Sequence, residues 1–396
     1  MNRITDLEKK YVLQVLESGF RTSSGATFMQ KFEAAFASKF GASHAISCVN
    51  GTATMHAILE AAGVGVGDEV IVPPLTMSAT SFAVLQANAT PVFADVCPDT
   101  FLIDPKSIGK CITDKTKAII TVALYGLSPE IDEIYQIING KKIFVLEDNA
   151  ECFGGTYKDK IVGTLGNAAS FSFQSSKHLT SGEGGIVLTM DAELANKVRQ
   201  INSLGYAGVS ASNAKISKSD IQHPSYSRHA SLGWNYRMPE LCCAVALAQT
   251  ERMEELVETR VKAANIFTEA TSDFTDWFVP QANPEHCKNS YWSWVAFNKN
   301  DDHNWEVIRD SLLKNGHDGV YAAWKLSYEE PMFKKMEFLG RQEYISSENK
   351  KRYSNSPCPV AEYLQPRLFQ FKTNYWNLSD AHRQAEIIRK TLKQFN

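Results

Sequence analysis

Short apolar runs alternate with helical patterns through the first 250 residues, and that alternation leaves the chain few possible architectures. Ala45 to Val49, Glu69 to Val72, Pro91 to Asp95, Ala118 to Val122 and Lys142 to Glu147 read as strands. Lys31 to Phe40, Thr52 to Ala62, Thr80 to Ala87 and Pro129 to Ile138 read as helices. Apolar strands separated by helices imply a mainly parallel sheet covered on both faces. The expected fold is α/β, with a large domain over residues 1–250. From about Leu241 the pattern changes. A long helix is expected from Pro239 to about Ile266, then a strand Tyr291 to Phe297, a helix Trp305 to Lys314 and a closing helix Asp380 to Phe395. These form a smaller C-terminal α+β domain, 251–396, with the boundary inside the long helix. The first 20 residues read as an amphipathic helix without a signal-peptide core.

Charge and cysteine usage narrow the function classes. The 41 basic and 44 acidic side chains give a net charge of −3, so there is no basic excess for nucleic acid or an acidic membrane. No apolar run approaches the roughly 18 residues that a membrane span needs. The eight cysteines are scattered without metal-ligand spacing, and they read as reduced thiols of a cytoplasmic protein; no metal is expected. Asn50-Gly51-Thr52 and Asn88-Ala89-Thr90 match the glycosylation pattern, a chance match in a chain without a secretion signal.

Ligands of open α/β sheets bind at the carboxyl ends of strands. Asp148 falls at one such end, after Ile143-Phe144-Val145-Leu146-Glu147. Lys177 falls near another, after Phe171-Ser172-Phe173 and before the glycine-rich turn Gly182-Glu183-Gly184-Gly185 and the strand-like Ile186-Val187-Leu188. A lone lysine would mean little. A lysine amine with a buried aspartate is the pair that pyridoxal 5′-phosphate chemistry requires: the amine forms a Schiff base, and the carboxylate keeps the pyridine nitrogen protonated. Asn50-Gly51-Thr52-Ala53-Thr54 joins a strand to a helix, where free amides and a hydroxyl make an anion site suited to a phosphate. Taken alone it reads first as a glycine turn with a capped helix; beside Lys177 and Asp148 the phosphate reading prevails. Ser172 alternates with Phe171 and Phe173, so it points away from both. Gly63-Val64-Gly65-Val66-Gly67 follows a helix and precedes a strand, the wrong order for a dinucleotide fingerprint, and reads as a loop.

In order along the chain, Phe32-Glu33-Ala34-Ala35-Phe36-Ala37, Asn50-Gly51-Thr52-Ala53, Gly67 to Pro74, Thr90 to Val96, Glu147-Asp148-Asn149-Ala150, Lys177 with Gly182 to Gly185, and Asn235-Tyr236-Arg237 resemble the DegT-type sugar aminotransferases. That is a pyridoxal-phosphate family of the aspartate aminotransferase fold, fold type I. The resemblance implies that Lys177 is the Schiff-base lysine and Asp148 the partner of the pyridine nitrogen. It implies that Thr52, Ala53 and Ser172 bind the phosphate, and that Asn235 reaches the phosphate of a neighbouring subunit in a homodimer with shared active sites. Glu183 is placed beside the sugar.

Three positions depart from the family pattern. Met77 stands where an aromatic ring usually stacks on the cofactor; its thioether can still cover a ring. Glu151 replaces the usual glutamine partner of the phenolic oxygen, and His178 replaces an asparagine after the lysine. A dehydratase branch of the family carries histidine in place of the lysine itself, so the retained Lys177 favours transamination.

The expected activity is transfer of an amino group from an amino acid, glutamate by resemblance, to a keto sugar carrying a nucleoside diphosphate, in amino-sugar or surface-polysaccharide assembly. The polar stretch between Gly205 and Gly233, with Lys215, Lys218, Arg228 and His229, is read either as a positive rim for the diphosphate or as a solvated loop. Tyr321-Ala322-Ala323-Trp324-Lys325 lacks the family's histidine-containing pattern and receives no role. The competing readings are a keto-sugar dehydratase or epimerase and a non-catalytic sensory relative.

Overall fold

The computed structural model describes residues 2–20, 28–213, 216–355 and 357–396. Its main sheet contains β1 (His44–Cys48), β2 (Glu69–Val72), β3 (Thr90–Phe93), β4 (Thr116–Val122), β5 (Phe144–Asp148), β6 (Ala168–Ser172) and β7 (Gly185–Thr189). They lie side by side in the order β1, β7, β6, β5, β4, β2, β3. Neighbours from β6 through β3 are parallel, and β7 runs antiparallel to both β1 and β6. The sheet is mainly parallel, as the alternation implies. Lys177 sits in the loop between β6 and β7.

The periodicity explains the two faces. Phe171 and Phe173 turn to one side and meet Phe32, Phe36 and Phe153 in edge-on ring contacts, together with stacking of Phe36 on Phe40. Phe32, Phe36 and Phe40 belong to α2 (Phe28–Phe40), whose i, i+4 spacing puts all three on one stripe. Ser170 and Ser172 turn to the other side, toward α3 (Gly51–Ala61), where Thr54 Oγ1 lies 2.5 Å from Ser170 Oγ.

One sequence expectation is corrected. The long helix over 239–266 is two helices, α4 (Glu240–Glu251) and α5 (Met253–Thr271), broken at Arg252 with φ −104° and ψ 14°. The guanidinium of Arg252 donates to the carbonyls of Asn2 and Arg3 and to Glu8, so the break is tied to the N-terminal arm. The segment between β3 and β4 holds a helix, Pro105–Cys111, with Asp104 as its N-cap and proline in its first turn. The N-terminal helix, α1, is present as Asp6–Glu17, opened by a capping box of Thr5 and Glu8.

A second, four-stranded antiparallel sheet is built from β8 (Phe278–Pro280), β9 (Ser293–Asn298), β10 (Val320–Ala322) and β11 (Leu368–Lys372), in the order β8, β9, β11, β10. One face of it buries Trp294, Phe369 and Phe371 against Phe267 of α5. The first turns of α5 belong instead to the phenylalanine core of the large sheet, through Met253, Leu256 and Val257. Val261 still packs on that core, and from Ala263 onward α5 packs on the core of the second sheet. Tyr328, Phe333 and Tyr353 of the C-terminal part also pack on Phe93 of the large sheet.

Candidate active site

The carboxyl ends of β4, β5 and β6 open into a cavity of about 1000 Å³ roofed by the second sheet. Of the residues expected from the sequence, Thr52, Met77, Asp148, Glu151, Ser172, Lys177 and Glu183 line it.

Two consecutive carboxylates end β5, and alternation sends them to opposite faces. Glu147 accepts hydrogen bonds from the amides of Gly163, Leu165 and Gly166 at 2.7–2.8 Å. Its capacity is used in holding the 163–166 turn. Asp148 faces the cavity, accepting from Thr80 Oγ1 at 2.9 Å and from the Ala150 amide at 3.2 Å. Burial pushes its pKa up, and Thr80, Ala150 and the charge of Lys177 oppose that rise. Among the described residues no cation hydrogen-bonds to it. A buried carboxylate at a cavity floor without a bonded cation is suited to a protonated ring nitrogen, so the site fits pyridoxal phosphate at that end.

Lys177 Nζ donates to Glu151 Oε1 at 3.1 Å and lies 4.5 Å from the centre of the Trp292 ring. Glu151 Oε2 accepts from the amide of Tyr125 at 3.0 Å. Burial raises the Glu151 pKa, and the nearby Lys177 charge opposes it. The substitution of glutamate for glutamine thus gives the lysine amine an anionic partner inside the cavity.

The other end is the N-terminus of α3. Gly51 and Thr52 face the cavity, and a Cβ on Gly51 would lie 3.0 Å from that of Ser172, so the turn and β6 touch. Gly185 is needed for the same closeness, because a Cβ there would meet the Asn50 carbonyl at 2.5 Å. Gly182 has φ +83°, the conformation its turn requires. Ala53 is buried and does not line the cavity, and its amide donates to the Asn50 side chain at 2.8 Å in an N-cap. The residues that face the cavity at this end are Asn50, Gly51, Thr52 and Ser172.

Three expected residues are not brought in. Asn235, Arg228 and His229 are exposed and do not line this chain's cavity. His229 Nδ1 lies 2.8 Å from the Leu204 carbonyl. Lys218 begins a short exposed helix, Lys218–Gln222, and Lys215 falls outside the described residues. His178 is fully buried and points away from the cavity. Its Nε2 lies 2.9 Å from the Ser290 carbonyl, and burial pulls its pKa far down, so the ring is neutral with Nδ1 unpartnered. No metal-ligand spacing is visible in the sequence, yet Glu130, His286 and Cys287 place ligand-type atoms within 4.8 Å of one another away from the cavity; there the carboxylate pairs with the imidazole.

The roof residues carry no sequence motif. Trp292 and Ser293 with Gln370 and Lys372 come from β9, β11 and the turn before β9, and Tyr321 and Trp324 from the β10 region. Trp292 and Trp324 stack at 5.7 Å. The only signal available was alternation on β11, where Gln370 and Lys372 interleave with the buried Phe369 and Phe371.

The DegT/DnrJ/EryC1/StrS aminotransferase family matches residues 2–359. GDP-perosamine synthase of Escherichia coli O157:H7 is 38% identical over 264 residues, 67% of this chain and 68% of that protein. The structure of 3-amino-5-hydroxybenzoic acid synthase superposes with a TM-score of 0.84 at 26% identity, covering 99% of this chain and 97% of that one. The E. coli GDP-4-keto-6-deoxy-D-mannose-3-dehydratase, solved with hydrated pyridoxal phosphate bound, gives 0.82 at 25% identity, covering 98% of each chain. With a lysine amine and a buried aspartate in one cavity at the strand ends, and a family match over nearly the whole length, the chain belongs to the DegT/DnrJ/EryC1/StrS aminotransferase family and is a pyridoxal-phosphate-dependent enzyme of fold type I.

Proposed function

We propose that this enzyme moves an amino group from glutamate to a nucleotide-linked keto sugar, in amino-sugar assembly. The observation that carries the reading is the convergence of Lys177 Nζ and the Asp148 carboxylate on one cavity. When bound, pyridoxal phosphate supplies a ring that delocalises the electron pair left when a proton departs from the donor's α-carbon. Asp148 holds the proton on the ring nitrogen, in a buried setting that strengthens the pairing. Lys177 Nζ would hold the cofactor and, as a free amine, would take the proton from the donor's α-carbon and return it as acid to the cofactor's C4′ carbon. Glu151 holds that amine when it is free. Thr52 and Ser172 hold the phosphate with the start of α3. Met77 covers the ring, and Glu183 faces the sugar. The order is ping-pong, since one cavity serves donor and acceptor in turn.

The E. coli relative's name, GDP-perosamine synthase, supports a sugar carried on a nucleoside diphosphate. A homodimer with shared sites accounts for Asn235, Arg228 and His229 outside this chain's cavity: they would serve the partner's. Among the described residues no helix is long and apolar enough to cross a membrane, and we infer a cytoplasmic enzyme.

The test is incubation with glutamate and a GDP-linked 4-keto-6-deoxy sugar. An amino sugar with equimolar 2-oxoglutarate is expected; a sugar that has lost one further hydroxyl and gained no nitrogen would make the enzyme a dehydratase. Borohydride reduction of the loaded protein and peptide mapping should leave the pyridoxyl group on Lys177.

A further inference from the structure

Three consecutive backbone carbonyls around the reactive lysine face cationic or indole donors. Arg3 Nη1 donates to the Ser175 carbonyl at 2.5 Å and Nη2 to the Lys177 carbonyl at 2.6 Å. Arg260 Nη2 donates to the carbonyls of Ser176 at 2.9 Å and Lys177 at 3.0 Å. Trp292 Nε1 donates to the Ser176 carbonyl at 3.0 Å. On the opposite side of the turn, the Lys177 amide donates to the Gln174 carbonyl at 3.0 Å.

The two guanidiniums arrive from distant parts of the chain. Arg260 lies in α5, is 2% exposed, and also donates to the Trp292 carbonyl at 2.9 Å, so it joins the roof to the lysine turn. Arg3 lies in the extended arm before the first helix. That arm is held by Gln249 and Arg252, which donate to the Arg3 carbonyl at 2.9 and 3.0 Å, and by Arg252 on the Asn2 carbonyl at 2.8 Å. The break between α4 and α5 thus serves as the arm's dock.

Packing alone does not call for this. A buried guanidinium carries a desolvation cost, and apolar side chains of similar volume commonly stabilise a core as well. Here two of them meet neutral carbonyls of one turn, the turn from which Lys177 projects. We propose that Arg3 and Arg260 form a clamp that positions the Lys177 amine, so that the N-terminal arm is part of the catalytic apparatus. Both are positioning residues, since they act through the backbone of Lys177. The inference rests on Lys177 being the reactive amine. An amine displaced by about 1 Å loses proton-transfer rate by up to about a hundredfold while ground-state binding stays.

The test uses the full-length Arg3→Gln and Arg3→Lys variants, because Arg3 is half-buried and its loss leaves the core intact. Arg260→Met is a second probe from the buried side. Hydrogen–deuterium exchange of the cofactor-free proteins reads the clamp without activity. Glutamate half-reaction kinetics of the loaded proteins read its consequence. In Arg3→Gln, exchange over residues 175–179 should rise about tenfold with β4 and β5 unchanged, and the half-reaction rate should fall about ten- to a hundredfold with glutamate KM within about twofold. Arg3→Lys should recover part of both. Wild-type exchange and kinetics in Arg3→Gln would overturn the clamp. So would exchange raised evenly along the chain with a lowered melting temperature, which marks a structural role only. If the wild-type enzyme itself fails to transaminate, the functional reading falls, while the exchange data still decide the clamp.

Discussion

The cavity has a floor and a roof, and they differ in how they are made. The floor comes from strand ends and the turns that follow them: Asp148, Glu151, Ser172, Lys177 and the Asn50–Thr52 turn. Its polar groups are locked by neighbours, as in the bonds from Thr80 to Asp148 and from Tyr125 to Glu151. The roof is the polar face of an antiparallel sheet, where Lys372 is part-exposed and paired with Asp318 at 3.0 Å. A locked floor suits groups that must meet a transition state in fixed geometry, and a roof brought in from a separate sheet suits groups that only select what enters. Floor variants should therefore act on kcat and roof variants on KM.

The largest effect should come from Lys177→Ala. One amine is both anchor and proton carrier, so kcat should fall by about 10⁴-fold or more. The protein should stay folded, because the Glu151 pKa is already raised by burial and the orphaned carboxyl can take up a proton. Turnover near wild type would break the floor assignment outright.

Asp148→Asn should retain cofactor and lower kcat by about 10²- to 10³-fold, through loss of charge support on the ring nitrogen. It also gives a stability test with a definite sign. Burial holds the folded-state pKa of Asp148 above its unfolded value, about 3.9. The native state then binds more protons than the unfolded state between those two values, so stability falls as pH rises through that window. The cofactor-free asparagine variant lacks this fall. Its melting temperature should exceed that of the cofactor-free wild type above the window and match it below about pH 3. A wild-type apoprotein that gains stability over the same rise, relative to the variant, would mean that Asp148 already has a cationic partner.

The floor was legible in the sequence because topology places it: a residue just past an apolar strand in a parallel sheet faces the ligand edge. Even there, neighbouring Glu147 and Asp148 look alike as letters. They differ because Glu147 meets three amides of the 163–166 turn, a fact of tertiary structure. The cap on α3 is tertiary in the same sense: that Asn50 takes the Ala53 amide is not written in the letters. The α4–α5 break was illegible because its partners, Asn2, Arg3 and Glu8, lie some 250 residues away. Gln370 and Lys372 alternate like any half-buried strand, and nothing local says that their face looks into a cavity.

Roof variants sharpen the comparison from the other side. Gln370→Ala and Lys372→Ala should raise KM for one substrate by about tenfold, the cost of one hydrogen bond to a charged group, with kcat within about twofold. In Lys372→Ala melting should move by no more than about 2 °C, because the Lys372–Asp318 pair is part-exposed and such pairs contribute little. Measuring the donor and acceptor half-reactions separately shows which substrate the roof selects. A drop in kcat at unchanged KM would erase the distinction between the two walls.

The smallest single-variant effect should belong to Asn235, which is exposed and outside this chain's cavity. If it completes the phosphate end of a partner's site, Asn235→Ala should weaken cofactor affinity by about three- to tenfold and leave kcat at saturating cofactor unchanged. Mixing makes the small effect decisive. In a dimer formed from one Asn235→Ala and one Lys177→Ala subunit, one site carries both lesions and the other carries neither. Re-associated mixtures at limiting cofactor should therefore contain sites of wild-type affinity and full turnover, which neither parent has. Activity that is only the average of the two parents would mean that Asn235 serves no neighbouring site, and that floor and roof of a single chain make the whole cavity.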